Sequence, residues 1–269
     1  MPTNGAVLVI ALVVAVRAWR RALLVAVPSL VAVGAWCIWC WDRTGDPLVF
    51  LTTKSRWQEI TFVGLFEGHV KWSVLPQDSR PRLLVFGESL GSFGGETAFS
   101  GEQDLRNRTS GAIFAGPPNF NTLFREFADA RDQGSLEIAP VYRDGRTVRF
   151  DDHPGPPIEP ASVAWDGPRV LYLQHPSDPI VWWTPRLLLT EPDWMSEPRG
   201  HDVLGTVRWI PFISFWQVTA DLPFATGVPG GHGHKYTSEY VDAWATVLQP
   251  ADWTEAKAAR LREIVAGGD

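Results

Sequence analysis

Cysteine is almost missing from this chain. Cys37 and Cys40 are its only two in 269 residues, and both lie inside an apolar run. No second cysteine pair and no nearby histidine complete a zinc site around them. Their C-x-x-C spacing therefore reads as lipid-facing or helix-packing residues. Everything after Trp41 lacks cysteine, so thiol content carries no information on redox compartment. A basic excess is missing too. The formal net charge is -6, which gives no electrostatic footprint for nucleic acid. Internal repeats and low-complexity tracts are absent, which excludes a solenoid or array. No motif for a metal or an organic cofactor stands out.

Apolar and aromatic residues are plentiful. The hydrophobic fraction is 45%, ordinary for a chain with a real core, but 14 Trp is a high count. Trp serves cores, apolar pockets and membrane interfaces alike, and core and rim packing accounts for most of these. The length suits one large α/β domain, or a domain plus an appendage.

The run from Ala22 to Trp41 holds twenty residues without a charge. At about 1.5 Å per residue, a helix of that length matches a hydrocarbon core of about 30 Å. Trp36, Trp39 and Trp41 cluster at its end, as in an interfacial belt. Ala6 to Val16 is a shorter apolar stretch, a candidate second arm of a helical hairpin. A cleaved signal peptide is the rival reading, but no basic residue precedes the first apolar stretch. Arg17, Arg20 and Arg21 between the runs favour a cytoplasmic loop, with the following domain facing outward. The expectation is a transmembrane region over 1–45 and a catalytic domain over 46–269 at the cell membrane, extracytoplasmic in topology.

After the apolar region, Leu48-Thr52 and Ile60-Leu65 are candidate strands. Short apolar runs at Arg82-Phe86, Gly111-Ala115 and Arg169-Leu173 are each followed by turn residues, as buried parallel strands are. Helical patterns run from Ser89 to about Ser100, Asn121 to Arg131, Thr237 to Leu248 and Thr254 to Ala266. This alternation predicts an α/β fold with a mostly parallel sheet flanked by helices. Residues 143–168 are rich in Asp, Pro and Gly and read as a loop. Residues 182–223 are Trp- and Pro-rich and read as an insertion or lid over a pocket.

One pentapeptide carries chemistry. Gly87-Glu88-Ser89-Leu90-Gly91 stands between a strand and a helix pattern, the setting of a nucleophile elbow. Small residues two before and two after the serine let strand and helix approach. Ser89 then projects above the sheet, and the helix N-terminus offers positive dipole to an oxyanion. The alternative is an ordinary strand-to-helix turn with a capping Ser.

A serine hydroxyl needs an adjacent base near neutral pH. The acid and the histidine are expected downstream, in that order. Asp178 follows the strand Arg169-Leu173, at the edge where open parallel sheets form their sites. Its alternative is a turn Asp before Pro179. Asp151 and Asp152 are other candidates, with no strand expected immediately before them. For the base, His232 and His234 stand in Gly230-Gly231-His232-Gly233-His234, a loop placed after the last expected strand. Either imidazole could take the proton, with His232 marginally ahead. A two-histidine metal site is the competing reading, but no clear third ligand sits beside them. His175 and His201 read as surface or turn residues. The backbone N–H of Leu90 is one oxyanion donor, and Leu65 is the candidate for the other.

At these residues the chain resembles a bacterial, actinobacterial-type family of membrane-associated α/β-hydrolases with an N-terminal transmembrane region. The likeness runs through Leu84-Val85-Phe86-Gly87-Glu88-Ser89-Leu90-Gly91-Ser92-Phe93-Gly94, Asp104-Leu105-Arg106-Asn107-Arg108-Thr109 and Gly116-Pro117-Pro118-Asn119. It continues in Leu171-Tyr172-Leu173-Gln174-His175, Ser177-Asp178-Pro179, Phe215-Trp216-Gln217-Val218 and Gly231-His232-Gly233-His234, spanning roughly Trp72 to Leu261. The resemblance implies a Ser-Asp-His hydrolase built on Ser89, Asp178 and the His232/His234 pair. Only about forty residues separate Trp41 from the strand before Ser89, so early strands of the sheet are expected to be missing. The resulting expectation is a serine esterase or lipase without cofactor or metal. Its substrate would be a small-molecule or lipid ester, its partner a membrane, with no nucleic acid. The alternative is a non-catalytic membrane protein that keeps a shortened hydrolase scaffold for binding.

Overall fold

The computed structural model describes residues 81–153 and 163–267, with a few isolated positions before residue 81. The chain divides into two compact units, Met1–Ile60 and Thr61–Asp269, and the elements below belong to the second. The expected boundary at residues 45–46, the strand candidates at 48–52 and 60–65, and nearly all of the apolar run 22–41 lie outside the described residues. Among the described residues, no helix is long and apolar enough to cross a membrane.

Among the described residues, four strands form one parallel sheet: β1 (Leu84–Glu88), β2 (Gly111–Ala115), β3 (Val148–Asp151) and β4 (Arg169–Leu173). Their order is β1-β2-β4-β3, so the last strand in sequence lies between the second and third. The register sets Val85 beside Ala112 and Ala112 beside Val170. β2 is buried along its whole length. This explains why β2 and β4 read as unbroken apolar runs, since a parallel strand with helices on both faces has no solvent side. The sequence expectation placed a loop across 143–168. β3 corrects it: Val-Arg-Phe-Asp is short and half polar, and it forms a strand because Val148 and Phe150 face the core beside Tyr172.

Side chains alternate across the sheet with period two. Val85, Ala112, Phe114, Val170 and Tyr172 point to one face, where helix α3 (Thr122–Asp129) covers them with Leu123, Phe124 and Phe127. Helix α1 (Leu90–Glu96) follows β1 directly, and α2 (Glu102–Arg108) completes the crossover to β2. Ile113, Ala115, Leu171 and Leu173 point the other way, against Ala243 and Val247. The sheet is thus sandwiched between helices, as apolar faces on both sides demand.

The Trp-rich segment is a string of short helices. These are α4 (Pro179–Trp182), a 3-10 turn at Pro185–Leu188, α5 (Asp193–Ser196) and α6 (Ile213–Asp221). Trp182 and Trp194 are buried with ring centroids 5.4 Å apart, so they pack the core. Trp216 is exposed on α6. Helices α7 (Glu239–Leu248) and α8 (Glu255–Ala266) close the chain. Among the described residues the histidine loop comes after β4, the last strand, as expected, and it directly follows a 3-10 turn at Leu222–Phe224.

Candidate active site

Ser89 stands between β1 and α1 with φ 55° and ψ -125°. A non-glycine residue in that region is strained, and the surroundings must hold it there. They do so at both ends of the peptide. The Ser89 N–H donates to Ala115 O at 2.9 Å, and Ser92 Oγ donates to Ser89 O at 2.6 Å. Gly87 lets strand and helix meet: a Cβ there would lie 2.4 Å from Gly91 O. Gly91 differs, since a Cβ on it would meet nothing within 4 Å. The expectation that both flanking glycines make room holds only for the first.

Behind the serine lies a buried polar chain absent from the sequence reading. Asn121 Nδ2 donates to Ser92 Oγ at 3.0 Å and to Glu96 Oε1 at 2.8 Å. The Phe124 N–H donates to Glu96 Oε2 at 3.0 Å. Burial pushes the Glu96 carboxyl up to about 7, against the lowering effect of its bond from Asn121.

Asp178 follows β4 and is fully buried. It caps α4, with Oδ1 accepting from the Ile180 N–H at 2.9 Å and Pro179 at the first helical position. The turn-forming role of an Asp before Pro is therefore real. It also leaves Oδ2 free, and that oxygen accepts from the Tyr236 hydroxyl at 2.9 Å and from His234 Nδ1 at 2.7 Å. A carboxylate only accepts, so the His234 proton sits on Nδ1 and Nε2 carries the lone pair. That Nε2 is buried and has no hydrogen-bond partner, so Ser89 Oγ does not bond to it here.

The histidine is seated by backbone on three sides. His234 N donates to Ala225 O at 2.7 Å, and Gly233 N donates to Ser177 Oγ at 2.8 Å. Gly233 O accepts from His175 Nδ1 at 2.8 Å. Gly116, just past β2, has φ +52° and would place a Cβ 2.5 Å from His234 Cε1. The residues that sequence reading missed here are Gly116, Tyr236 and His175. The Gly-Pro-Pro stop after β2 was the available signal for the first.

His175 is buried, not a surface residue, which corrects the expectation. Its Nε2 lies 3.1 Å from Glu239 Oε1. Both ring nitrogens thus face oxygen acceptors, an arrangement that favours the doubly protonated ring. Burial alone would lower its pKa, but the bonds to Glu239 and to Gly233 outweigh that and raise it. Burial likewise works to raise Glu239, and the His175 bond overrides it, leaving that carboxyl low.

His232 is placed apart from this constellation. It is half exposed, and its Nδ1 lies 3.6 Å from Asp202 Oδ2 rather than against Asp178. The slight preference for His232 over His234 is therefore corrected: the imidazole beside Asp178 is that of His234. Asp151 ends β3 and Asp152 follows it; neither has a hydrogen bond to His234. Burial pushes Asp151 up to about 6. Leu90 opens α1, so its N–H has no acceptor within the helix. Leu65 lies outside the described residues.

A cavity of about 780 Å³ lies beside the acid loop. Ser177, Pro179, Trp182, Trp194, Val207 and Val218 are among its walls, whereas neither Ser89 nor His234 lines it. It is enclosed largely by the Trp-rich segment.

The family model described as alpha/beta-hydrolase family matches residues 43–261. No curated protein and no solved structure matches the chain.

Proposed function

Because the chain belongs to the alpha/beta-hydrolase family, and so to a group of hydrolases, we propose that it is a serine hydrolase of carboxylic esters with Ser89 as nucleophile, His234 as base and Asp178 as the residue that orients His234. The observation that carries this reading is the buried His234–Asp178 bond of 2.7 Å, which leaves Nε2 as an unpaired acceptor. Ser89 Oγ attacks the ester carbonyl as its proton passes to His234 Nε2. The tetrahedral oxyanion is met by the Leu90 N–H at the start of α1. The alcohol departs with the proton from His234, and water then releases the acid by the same steps in reverse. The absent Ser89–His234 bond fits a ligand-free site, where catalytic bonds often close only in the Michaelis complex.

The apolar walls of the cavity beside Ser177 support an acyl chain as part of the substrate. The uncharged run 22–41 supports a membrane tether that would bring the site to lipid esters.

A fluorophosphonate probe tests the reaction. Labelling of the wild type and none of Ser89→Ala is expected. A folded wild-type protein that takes no label overturns the proposal in favour of a binding scaffold. A series of p-nitrophenyl esters tests the substrate, with rates rising with chain length expected and a flat series removing the lipid reading.

A further inference from the structure

His232, freed from the role of base, belongs to a second cluster. One ligand atom from each of His201, Asp202 and His232 lies within 4.8 Å of the others, and the same holds for Asp152, His153 and His201. The rings of His153 and His201 are stacked with centroids 5.0 Å apart, and the His201 and His232 centroids are 6.2 Å apart. Asp202 supplies the independent observation. Its side chain is only 3% exposed. Its Oδ2 accepts from Ser177 Oγ, whereas Oδ1 is buried without any hydrogen-bond partner. A buried carboxylate oxygen left unpaired is costly, and a cation held by the Asp202 carboxylate beside His232 reduces that cost.

We propose that His201, Asp202 and His232 bind a divalent zinc ion. Two imidazoles and one carboxylate form a nitrogen and oxygen set that suits zinc rather than calcium or magnesium. Ligand atoms around tetrahedral zinc with bonds of about 2.1 Å are about 3.4 Å apart, so the cluster must contract slightly on binding. His201 is exposed and His232 half exposed, and both can make that movement.

The site would be a clip rather than a Lewis acid in the reaction. Its ligands come from the loop holding His234 and from the loop after α5, and Ser177 joins Asp202 to Gly233. Zinc there fixes the backbone on either side of the Asp178–His234 pair. This role in activity rests on the proposed reaction, whereas the binding does not.

The test uses the full chain, untagged, in detergent, in a Cys37→Ser/Cys40→Ser background that removes the two thiols. Protein stripped with EDTA is titrated with zinc chloride by calorimetry, and retained metal is counted by mass spectrometry. One zinc per chain is expected, with Tm rising by about 5 °C or more at zinc a hundredfold above Kd. His201→Ala and His232→Ala should each weaken binding by more than the roughly 10–100-fold that loss of an outer partner costs. His234→Ala should keep the zinc and lose fluorophosphonate labelling, which separates the two proposals. Absence of any zinc-dependent heat and Tm shift overturns the clip. So does affinity unchanged in both His201→Ala and His232→Ala.

Discussion

Gly116 leaves the space that the His234 imidazole fills. A Cβ on Gly116 would sit 2.5 Å from His234 Cε1 and 2.8 Å from Nδ1. Gly116→Ala is therefore expected to push the ring off Asp178 and to strain its own positive φ. A misplacement of about 1 Å can cost 10²-fold in rate, so kcat should fall by about that factor. The stability loss should be about 1 kcal/mol. Esterase kinetics beside a thermal melt check the split. A melt that falls steeply while kcat holds would mean that the glycine serves the fold alone.

The two glycines around Ser89 should respond in opposite directions. Gly87→Ala would drive a Cβ into the backbone of Gly91 and Ser92, at 2.4 to 2.7 Å. A cost of about 2–4 kcal/mol is expected, because backbone cannot step aside as a side chain can. Gly91→Ala meets open space inside α1 and should stabilise by about 0.5–1 kcal/mol. Urea unfolding of both variants checks the sign of each.

Tyr236 links the acid to the backbone of the strand-following loop. Its hydroxyl accepts from the His175 N–H at 3.0 Å and donates to Asp178 Oδ2 at 2.9 Å. Tyr236→Phe leaves a buried N–H unpaired and removes one donor from the carboxylate. A stability loss of about 1–3 kcal/mol is expected. Asp178 keeps His234, so kcat should drop only about tenfold, far less than for Ser89→Ala. Equal losses in the two variants would place Tyr236 in the reaction itself.

Stability should decline as pH rises through the neutral range. Glu96 has a folded pKa of about 7 against an ordinary 4.5, so the folded state holds the extra proton between those values. Its contribution is full below pH 4.5, is lost through pH 7 and is flat above, amounting to about 3 kcal/mol at most. His175 acts in the same direction, since its raised pKa gives stability that is full below pH 6.5 and is lost as pH rises through its folded value. Glu239 opposes both at the acid end, because its lowered pKa gives stability that is lost as pH falls through its folded value. Urea midpoints from pH 5 to 9 for the wild type and Glu96→Gln check this. The variant should show the shallower decline, and parallel curves would remove Glu96 as the cause.

Much of this was legible in the sequence for simple reasons. β2 and β4 are buried on both faces, so their apolar runs coincide with the strands residue for residue. The Ser89 pentapeptide carried its own setting of strand and helix. β3 was hidden because Val-Arg-Phe-Asp alternates within a stretch dominated by turn formers. The choice between His232 and His234 was hidden for another reason. Two histidines one residue apart in a glycine loop have near-identical local sequence, and only the turn, with Gly231 and Gly233 at positive φ, turns one towards Asp178 and the other towards Asp202. His175 and Glu239 lie far apart in sequence, so nothing local announced their buried pair.

The strand order has a consequence for how the chain is made. β3 leaves the ribosome before β4, yet among the described residues β4 is the only strand it pairs with. Until residues 169–173 are synthesised, β3 has, among the described residues, only the single antiparallel bridge from Val141 to Arg149. β2 must likewise keep its edge open to admit β4 against it. Two unsatisfied strand edges then wait on one late segment, and such edges recruit neighbouring chains. Translation pausing between β3 and β4 should therefore favour aggregation, and the nascent chain has most to gain from a chaperone in that interval.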